Sequence, residues 1–179
     1  YFTKNNHNVY LTKPNSNLGK DHPFNIQILS SKGCITTNQL QDNSLLKIIY
    51  KSKIFKKFIS SIINKNKLYE YADPLSSINI HYAYEGQELG WHFDNSSFAI
   101  TLLLQSPING GNFEFVPNLI NSSKNDLNFN GVKEVLDGKR KPKRLEIFPG
   151  TLVLFQGKDA IHRVSPTIGN RPRILVVLA

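Results

Sequence analysis

The hydrophobic period of the chain changes near Pro74. Between residues 43 and 67, apolar side chains recur at helical spacing with lysines mostly between them, which predicts one amphipathic helix, continuous or broken. Asp42, Asn43 and Ser44 are suitable N-cap residues for it. After Pro74 apolar positions alternate with polar ones, as in a strand with one buried face. The sequence therefore predicts helical structure before Pro74 and β-structure after it.

Short segments with strand-like patterns follow, each bounded by glycine, proline or polar turn residues. They span residues 78–84, 98–105, 113–116, 145–148, 151–155, 161–164 and 173–178. We expect the second and third of these segments to form a hairpin with a loop longer than two residues. So many short strands favour an antiparallel sandwich or barrel, and hence an α+β protein with a mainly β core.

The length of the chain favours a single domain. Its 179 residues can bury one sizeable core, whereas two domains would each be marginal. We expect residues 1–73 to form a helical support region and residues 74–179 to form the β core. Residues 117–144 interrupt that core as a polar insertion, whose length is typical of lids, binding loops and disordered segments.

Composition and charge narrow the class of protein further. The hydrophobic fraction of 40% is that of a folded globular protein, and no apolar run is long enough to span a bilayer. Cys34 is the only cysteine and there is no secretory leader, so we expect a cytoplasmic protein without an internal disulfide. The chain begins at Tyr1 rather than Met, so we expect its ends to be trimmed.

His92 and Asp94 carry the strongest chemical signal in the sequence. On an extended segment, side chains two residues apart point to the same side, while Trp91 and Phe93 point to the other. His162 supplies a second imidazole from a distant strand. Two imidazoles and one carboxylate on one face of a divalent metal leave three positions open, as in non-haem iron oxygenases. We predict that His92, Asp94 and His162 hold a metal ion and form the catalytic centre.

The surroundings of these three residues extend the pattern into a family resemblance. Residues 85–95, 101–105 and 148–166 are especially similar to a bacterial subgroup of free-amino-acid hydroxylases and halogenases. Residues 84–179 as a whole resemble the iron(II)/2-oxoglutarate-dependent oxygenase superfamily. The resemblance implies a double-stranded β-helix, the jelly-roll or cupin-like fold, with flanking N-terminal helices. It also implies iron(II) as cofactor, with 2-oxoglutarate and O2 as co-substrates.

The same resemblance implies roles for further residues. A basic residue shortly after the distal histidine binds the far carboxylate of 2-oxoglutarate in that superfamily, and Arg171 and Arg173 both stand at suitable positions. We favour Arg173, because it begins an apolar strand that would fix its position. Tyr82 and Thr101 are further candidates for contacts with 2-oxoglutarate. Halogenating members replace the metal-binding acid with a small residue, so the presence of Asp94 implies hydroxylation rather than halogenation.

The substrate implied is a small molecule, such as a free amino acid, and the oligomeric state stays open. One alternative is a nucleic-acid or protein side-chain oxygenase of the same superfamily, and another is a non-catalytic cupin-like binding module. The net charge of +9 can attract nucleic acid. However, the excess is mostly dispersed lysine, whereas nucleic-acid repair enzymes need clustered arginine and aromatic stacking surfaces. We therefore expect neither a nucleic acid nor a membrane as partner.

Four other polar residues receive less specific interpretations. We expect His81 to be a hydrogen-bonded core histidine, with a place on the pocket wall as the alternative. His7 and His22 lie in polar stretches and are expected to face solvent. Glu114 lies between two phenylalanines and is expected to face solvent from a strand, with contact to a cationic substrate as the alternative.

Overall fold

Two antiparallel β-sheets form the core of the protein. The structure is a computed structural model that describes residues 2–179, with side chains from Lys4 onward. The strands are β1 (Phe2–His7), β2 (Ile28–Ile35), β3 (Ile78–Ala83), β4 (Leu89–His92), β5 (Ala99–Gln105), β6 (Asn109–Gly110), β7 (Phe113–Val116), β8 (Lys143–Leu145), β9 (Leu152–Phe155), β10 (Ile161–Val164), β11 (Thr167–Ile168) and β12 (Arg173–Leu178). The α-helices are α1 (Leu45–Lys51), α2 (Lys53–Ile62) and α3 (Phe129–Leu136).

The major sheet has six strands in the order β1-β2-β3-β12-β5-β9, and the minor sheet has four in the order β4-β10-β7-β8. Strands β6 and β11 form a separate ribbon. Along the chain, β3, β5, β9 and β12 join the major sheet while β4, β7 and β10 join the minor one. This exchange of strands between two facing sheets is the jelly-roll arrangement, so the predicted double-stranded β-helix is confirmed.

The hairpin predicted between residues 98–105 and 113–116 is wrong. Both strands exist, but β5 pairs with β12 and β9, whereas β7 pairs with β10 and β8. Neighbouring strands in a sequence often pair, which was the basis of the prediction. In a jelly roll the chain instead crosses to the opposite sheet, and a local hydrophobic pattern does not report that crossing.

The amphipathic segment at residues 43–67 is two helices that meet at Ser52. Ser44 caps α1 by accepting a hydrogen bond from the backbone N–H of Lys47, and Ser52 caps α2 in the same way through Phe55. Their apolar sides pack on the outer face of the major sheet. That core contains Tyr50, Ile59, Ile78, Ile100, Val176 and Leu178.

The N-terminal region is not wholly helical, contrary to the prediction for residues 1–73. Strands β1 and β2 pair there as an antiparallel hairpin at the edge of the major sheet. Their inward-facing positions are largely polar, so the alternation by which buried strands are found is absent. Among the described residues 2–179, no helix is both long and apolar enough to cross a membrane.

The insertion at residues 117–144 contains α3, and this helix packs against the β core. Asn128 caps this helix by accepting from the backbone N–H of Gly131. Its buried side joins the outer face of the minor sheet. That second core includes Val9, Trp91, Phe93, Val116, Leu119, Val132, Val135 and Ile161. The helix was missed although its apolar residues recur at helical spacing after a suitable cap.

Candidate metal centre

Strands β4 and β10 bring the two predicted histidine ligands side by side. They are antiparallel neighbours in the minor sheet, and His92 is the direct partner of His162. Asp94 follows two residues after His92, just beyond the end of β4, where its backbone N–H donates to the Gly157 carbonyl at 3.0 Å. The side chains of His92, Asp94 and His162 thereby meet between the two sheets.

The atoms of these side chains are close enough to bind one ion. Asp94 Oδ1 lies 3.7 Å from Nε2 of His92 and 3.5 Å from Nε2 of His162. One possible ligand atom from each residue lies within 4.8 Å of the others. Nitrogen and oxygen ligands lie roughly 2.0–2.2 Å from a transition metal, so those that share an ion are about 3–4 Å apart. The three side chains therefore fit a two-histidine, one-carboxylate iron site.

Backbone carbonyls orient both imidazoles. Nδ1 of His92 lies 2.8 Å from the Gly90 carbonyl oxygen, and Nδ1 of His162 lies 3.0 Å from that of Ala160. A carbonyl can only accept, so each Nδ1 carries the proton and donates it. In a neutral imidazole Nε2 is then the nitrogen without a proton, and both Nε2 atoms are directed towards Asp94, as metal binding requires.

The ionisation of the site suits a cation. Burial, followed by the neighbouring His162, lowers the pKa of His92 to about 3, so this imidazole is neutral at neutral pH. Burial by itself would raise the pKa of Asp94, but the hydrogen bond and charge of His162 lower it below its usual value. A neutral imidazole beside an ionised carboxylate has the protonation states in which metal ligands bind.

Gly157 makes room for this arrangement. A Cβ added to it would overlap Oδ2 of Asp94 and lie 2.8 Å from Cε1 of His162. Any side chain at this position would push the carboxylate away from the imidazoles. Gly157 was not singled out in the sequence, because only the tertiary structure shows that it touches Asp94.

A cavity of about 370 Å³ opens in front of the three side chains, between the two sheets. Arg173 and Thr101 from the major sheet line it, together with His92, Asp94 and His162. Most of its remaining wall is apolar. A buried, mainly apolar cavity with a few convergent polar groups is the usual form of a small-molecule site.

Arg173 and Arg171 have opposite environments. Arg173 is only 6% exposed, and burial lowers its pKa to about 10, so it remains a cation at neutral pH. Within the described part of the chain, no acid lies within ion-pairing distance of it. Arg171 is exposed and donates to the Pro107 carbonyl at 3.1 Å. Arg173 is therefore the arginine available to an anion in the cavity.

Tyr82 lies away from the cavity, unlike Thr101. Its ring covers Gly33 of the neighbouring strand, where an added Cβ would overlap it, and it contacts Tyr84 edge to face at 5.7 Å. The structure thus brings Thr101 and Arg173 to the cavity wall with the metal-binding group. It does not bring Tyr82 or Arg171 there.

Several expectations for other polar residues change. His81 lines the cavity, 3.1 Å from Nζ of Lys32, and burial lowers its pKa to about 3. Glu114 does not meet the cavity, because it accepts a hydrogen bond at 2.7 Å from Nε of Arg163, its partner across β7 and β10. That arginine also lies over the Trp91 ring, at 4.8 Å.

His7 is the histidine that sequence reasoning placed wrongly. It is half-buried on the cavity wall, with its ring 6.2 Å from that of His92 and its Nε2 2.6 Å from Oγ of Ser30. His22 is also half-buried, against Phe129 at 4.6 Å. A polar stretch was taken to indicate solvent exposure, but polar residues also face a ligand cavity.

The fold, and the group of His92, Asp94 and His162 that can hold a metal ion, indicate a class of protein, the iron(II)/2-oxoglutarate-dependent oxygenases. Within that class the chain belongs to the halogenase D family, HalD, whose sequence model matches residues 31–179. The predicted superfamily is thus confirmed. The cofactor and co-substrates of this class are iron(II), 2-oxoglutarate and O2, as expected from the sequence. No curated protein matches the chain.

Solved structures with this fold share little sequence with the chain. An oxidoreductase of the 2OG-Fe(II) oxygenase family from Burkholderia pseudomallei is 12% identical, with a TM-score of 0.56 over 99% of this chain and 71% of that one. A Pseudomonas putida prolyl-4-hydroxylase is 14% identical, with a TM-score of 0.46 over 82% of this chain and 66% of that one. The Drosophila melanogaster CENP-C cupin domain is 9% identical, with a TM-score of 0.38 over 63% and 65%. The first of these similarities supports the fold and nothing further.

Proposed function

We propose that this protein is an iron(II)- and 2-oxoglutarate-dependent dioxygenase that hydroxylates an unactivated C–H bond of a small molecule, such as a free amino acid. The meeting of His92, Asp94 and His162 on the wall of one cavity is the observation that carries the proposal. Arg173, a buried cation in the same cavity, adds the anion-binding group that 2-oxoglutarate needs.

Each residue has a defined part in this proposal. His92, Asp94 and His162 hold the iron, Arg173 pairs with the far carboxylate of 2-oxoglutarate, and Thr101 lines the same cavity. When bound, the iron supplies the oxidising chemistry, in which 2-oxoglutarate is converted to succinate and carbon dioxide. The apolar walls keep water away from the reacting substrate.

The test is reconstitution of the purified protein. Iron(II) and 2-oxoglutarate are added without oxygen, air is then admitted, and succinate is measured with and without a mixture of free amino acids. We expect slow succinate formation alone and faster formation with the mixture. No succinate in either case would contradict the proposal.

Halogenation is the second candidate, because the family that matches the chain is named for a halogenase. Asp94 argues against it, because its carboxylate takes the metal position that a halide would need. We expect wild-type product to carry a hydroxyl group even in excess chloride, as read by mass spectrometry. A chlorinated product would favour the second candidate.

We also propose that residues 1–179 act as a single oxygenase domain. Both sheets share one cavity, and the N-terminal hairpin contributes to its wall, which supports this division. A cytoplasmic location agrees with the single cysteine, Cys34. The small volume of the cavity favours a small molecule over a nucleic acid as substrate.

A further inference from the structure

The N-terminal hairpin contributes a polar wall to the cavity. Asn5 and Ser30 are direct partners in the β1–β2 pairing, and the inward positions next to them include His7 and Lys32. All four side chains line the cavity, and we call them the hairpin wall. Except for Lys32, they lie outside residues 31–179, which the family model matches.

Lys32 provides the positive charge of the hairpin wall. Burial lowers its pKa to about 8, which still leaves it mostly protonated at neutral pH. Its Nζ lies 3.1 Å from a ring nitrogen of His81, whose neutral imidazole can accept that hydrogen bond. His81 therefore helps to hold the ammonium group in place.

Lys32 and Arg173 enter the cavity from different strands. They lie on β2 and β12, on either side of β3 in the major sheet. Neighbouring strands are about 4.8 Å apart, so the backbones that carry these two cations are separated by about 10 Å. In the proposed function Arg173 binds 2-oxoglutarate, so Lys32 is a second cation of the cavity wall that can bind a second carboxylate.

The rest of the cavity is suited to an aliphatic group. Apolar side chains make up most of its wall, among them Phe113, Leu145, Ile147, Val153 and Val164. Of the described residues on its wall, Asp94 is the only acid, and it faces the two histidine ligands. A substrate that ended in an ammonium group would bury that charge against apolar side chains. The desolvation of such an ion costs roughly several kcal/mol when no partner compensates for it.

We propose that the prime substrate is a small carboxylate with an aliphatic body, and that Lys32 binds its carboxylate. This inference rests on the proposed function and narrows the substrate class within it. The cavity of about 370 Å³ holds the substrate together with 2-oxoglutarate, so the aliphatic body is short. An aliphatic amino acid and a simple aliphatic acid share this chemistry.

Binding calorimetry tests the proposal without relying on turnover. The protein is loaded with iron(II) and saturating 2-oxoglutarate without oxygen, and is then titrated with hexanoate, norleucine or hexylamine. We expect at least one of the two carboxylates to bind about tenfold or more tightly than hexylamine, as one charged hydrogen bond provides. Preference for norleucine over hexanoate would identify a free amino acid, and the reverse preference a simple acid.

Variants of Lys32 assign the effect to this residue. Lys32→Met should weaken binding of the preferred carboxylate about tenfold and leave hexylamine unchanged. Lys32→Glu should reverse the preference towards hexylamine, which a merely structural role would not do. Lys4→Met is the matched control, because Lys4 is an exposed lysine of the same hairpin. We expect Lys4→Met to bind all three probes as the wild type does.

Three results would overturn the proposal. The first is hexylamine binding as tightly as both carboxylates, or no binding of either carboxylate. The second is an unchanged carboxylate affinity in Lys32→Met. The third is a Lys32→Met protein with weaker 2-oxoglutarate binding and normal hexanoate binding, which would assign Lys32 to the co-substrate. Failure of the proposed function is distinguishable from these results, because the protein would then bind neither iron(II) nor 2-oxoglutarate. In that case the same titrations of the metal-free protein would decide the role of Lys32.

Discussion

The two ends of the cavity are prepared for opposite charges. At the metal end, two imidazoles and an ionised carboxylate converge, and backbone carbonyls hold the imidazoles in place. A second part of the wall, the cation end, carries Arg173, which is buried, and Lys32, which is half-buried and whose charge also acts on Asp94. The first end fits a metal ion and the second fits carboxylates. In the proposed function, 2-oxoglutarate would bind the metal through one end and Arg173 through the other, so this separation of charge would orient it.

Among the substitutions that test the two ends of the cavity, removal of a metal ligand should have the largest effect on ligand binding. We expect His162→Ala to abolish tight iron(II) binding, because two remaining ligands cannot fix the ion. Iron affinity is measured by calorimetry without oxygen. His22→Ala, which removes a half-buried histidine that contacts Phe129 instead, is the control and should bind iron normally. Normal iron affinity in His162→Ala would exclude this residue from the ligand set.

The cation end is tested by Arg173→Leu. Truncation of one partner of a buried charge pair costs roughly 2–5 kcal/mol, so we expect the dissociation constant for 2-oxoglutarate to rise about 100-fold. Iron affinity should stay the same, because Arg173 does not belong to the metal-binding group. Arg171→Leu is the control, since Arg171 is exposed. If Arg171→Leu weakened 2-oxoglutarate binding more than Arg173→Leu did, Arg171 rather than Arg173 would be the residue that binds the co-substrate.

A smaller effect at the metal end is expected from Gly157→Ala. The added methyl group would displace the Asp94 carboxylate, and loss of such support typically weakens metal affinity about 10- to 100-fold. Gly19→Ala is a suitable control, because an added Cβ there has no atom within 4 Å. Wild-type iron affinity in Gly157→Ala would mean that the carboxylate can move without loss of the ion.

The smallest effect concerns the stability of the cation end. Burial lowers the pKa of Lys32 from 10.5 to about 8, so between these pH values the folded protein binds fewer protons than the unfolded chain. Lys32 therefore costs stability below pH 8, and this cost declines as the pH rises towards 10.5. We expect Lys32→Met to raise the free energy of unfolding by about 1–3 kcal/mol at neutral pH, with a smaller gain near pH 10.

Urea denaturation of wild type and Lys32→Met at the two pH values measures this difference. Lys4→Met again serves as the control and should change little at either pH, because Lys4 is exposed. A gain that is equal at both pH values would show that the effect comes from packing rather than from the buried charge.

Local pattern predicted the strands better than their partners. Strands β7, β10 and β12 have the bounds expected for residues 113–116, 161–164 and 173–178. The pairing of β7 was predicted wrongly, because hydrogen-bond partners in a jelly roll come from distant parts of the chain. The β1–β2 hairpin was missed altogether, since its inward positions are polar and face a cavity.

The sequence alone predicted the candidate metal ligands, because an H-x-D motif with a distal histidine depends on residue types and on the same-side geometry of an extended segment. It also predicted the class of fold, because many short strands and the family resemblance both indicated it. Tertiary structure decided which arginine is buried, that Gly157 must lack a side chain, and that His7 and Lys32 face the cavity. These features depend on contacts between residues far apart in the sequence. A local hydrophobic pattern indicates whether a segment is helical or extended. Only the packing of the two sheets against each other determines which side chains line the same cavity.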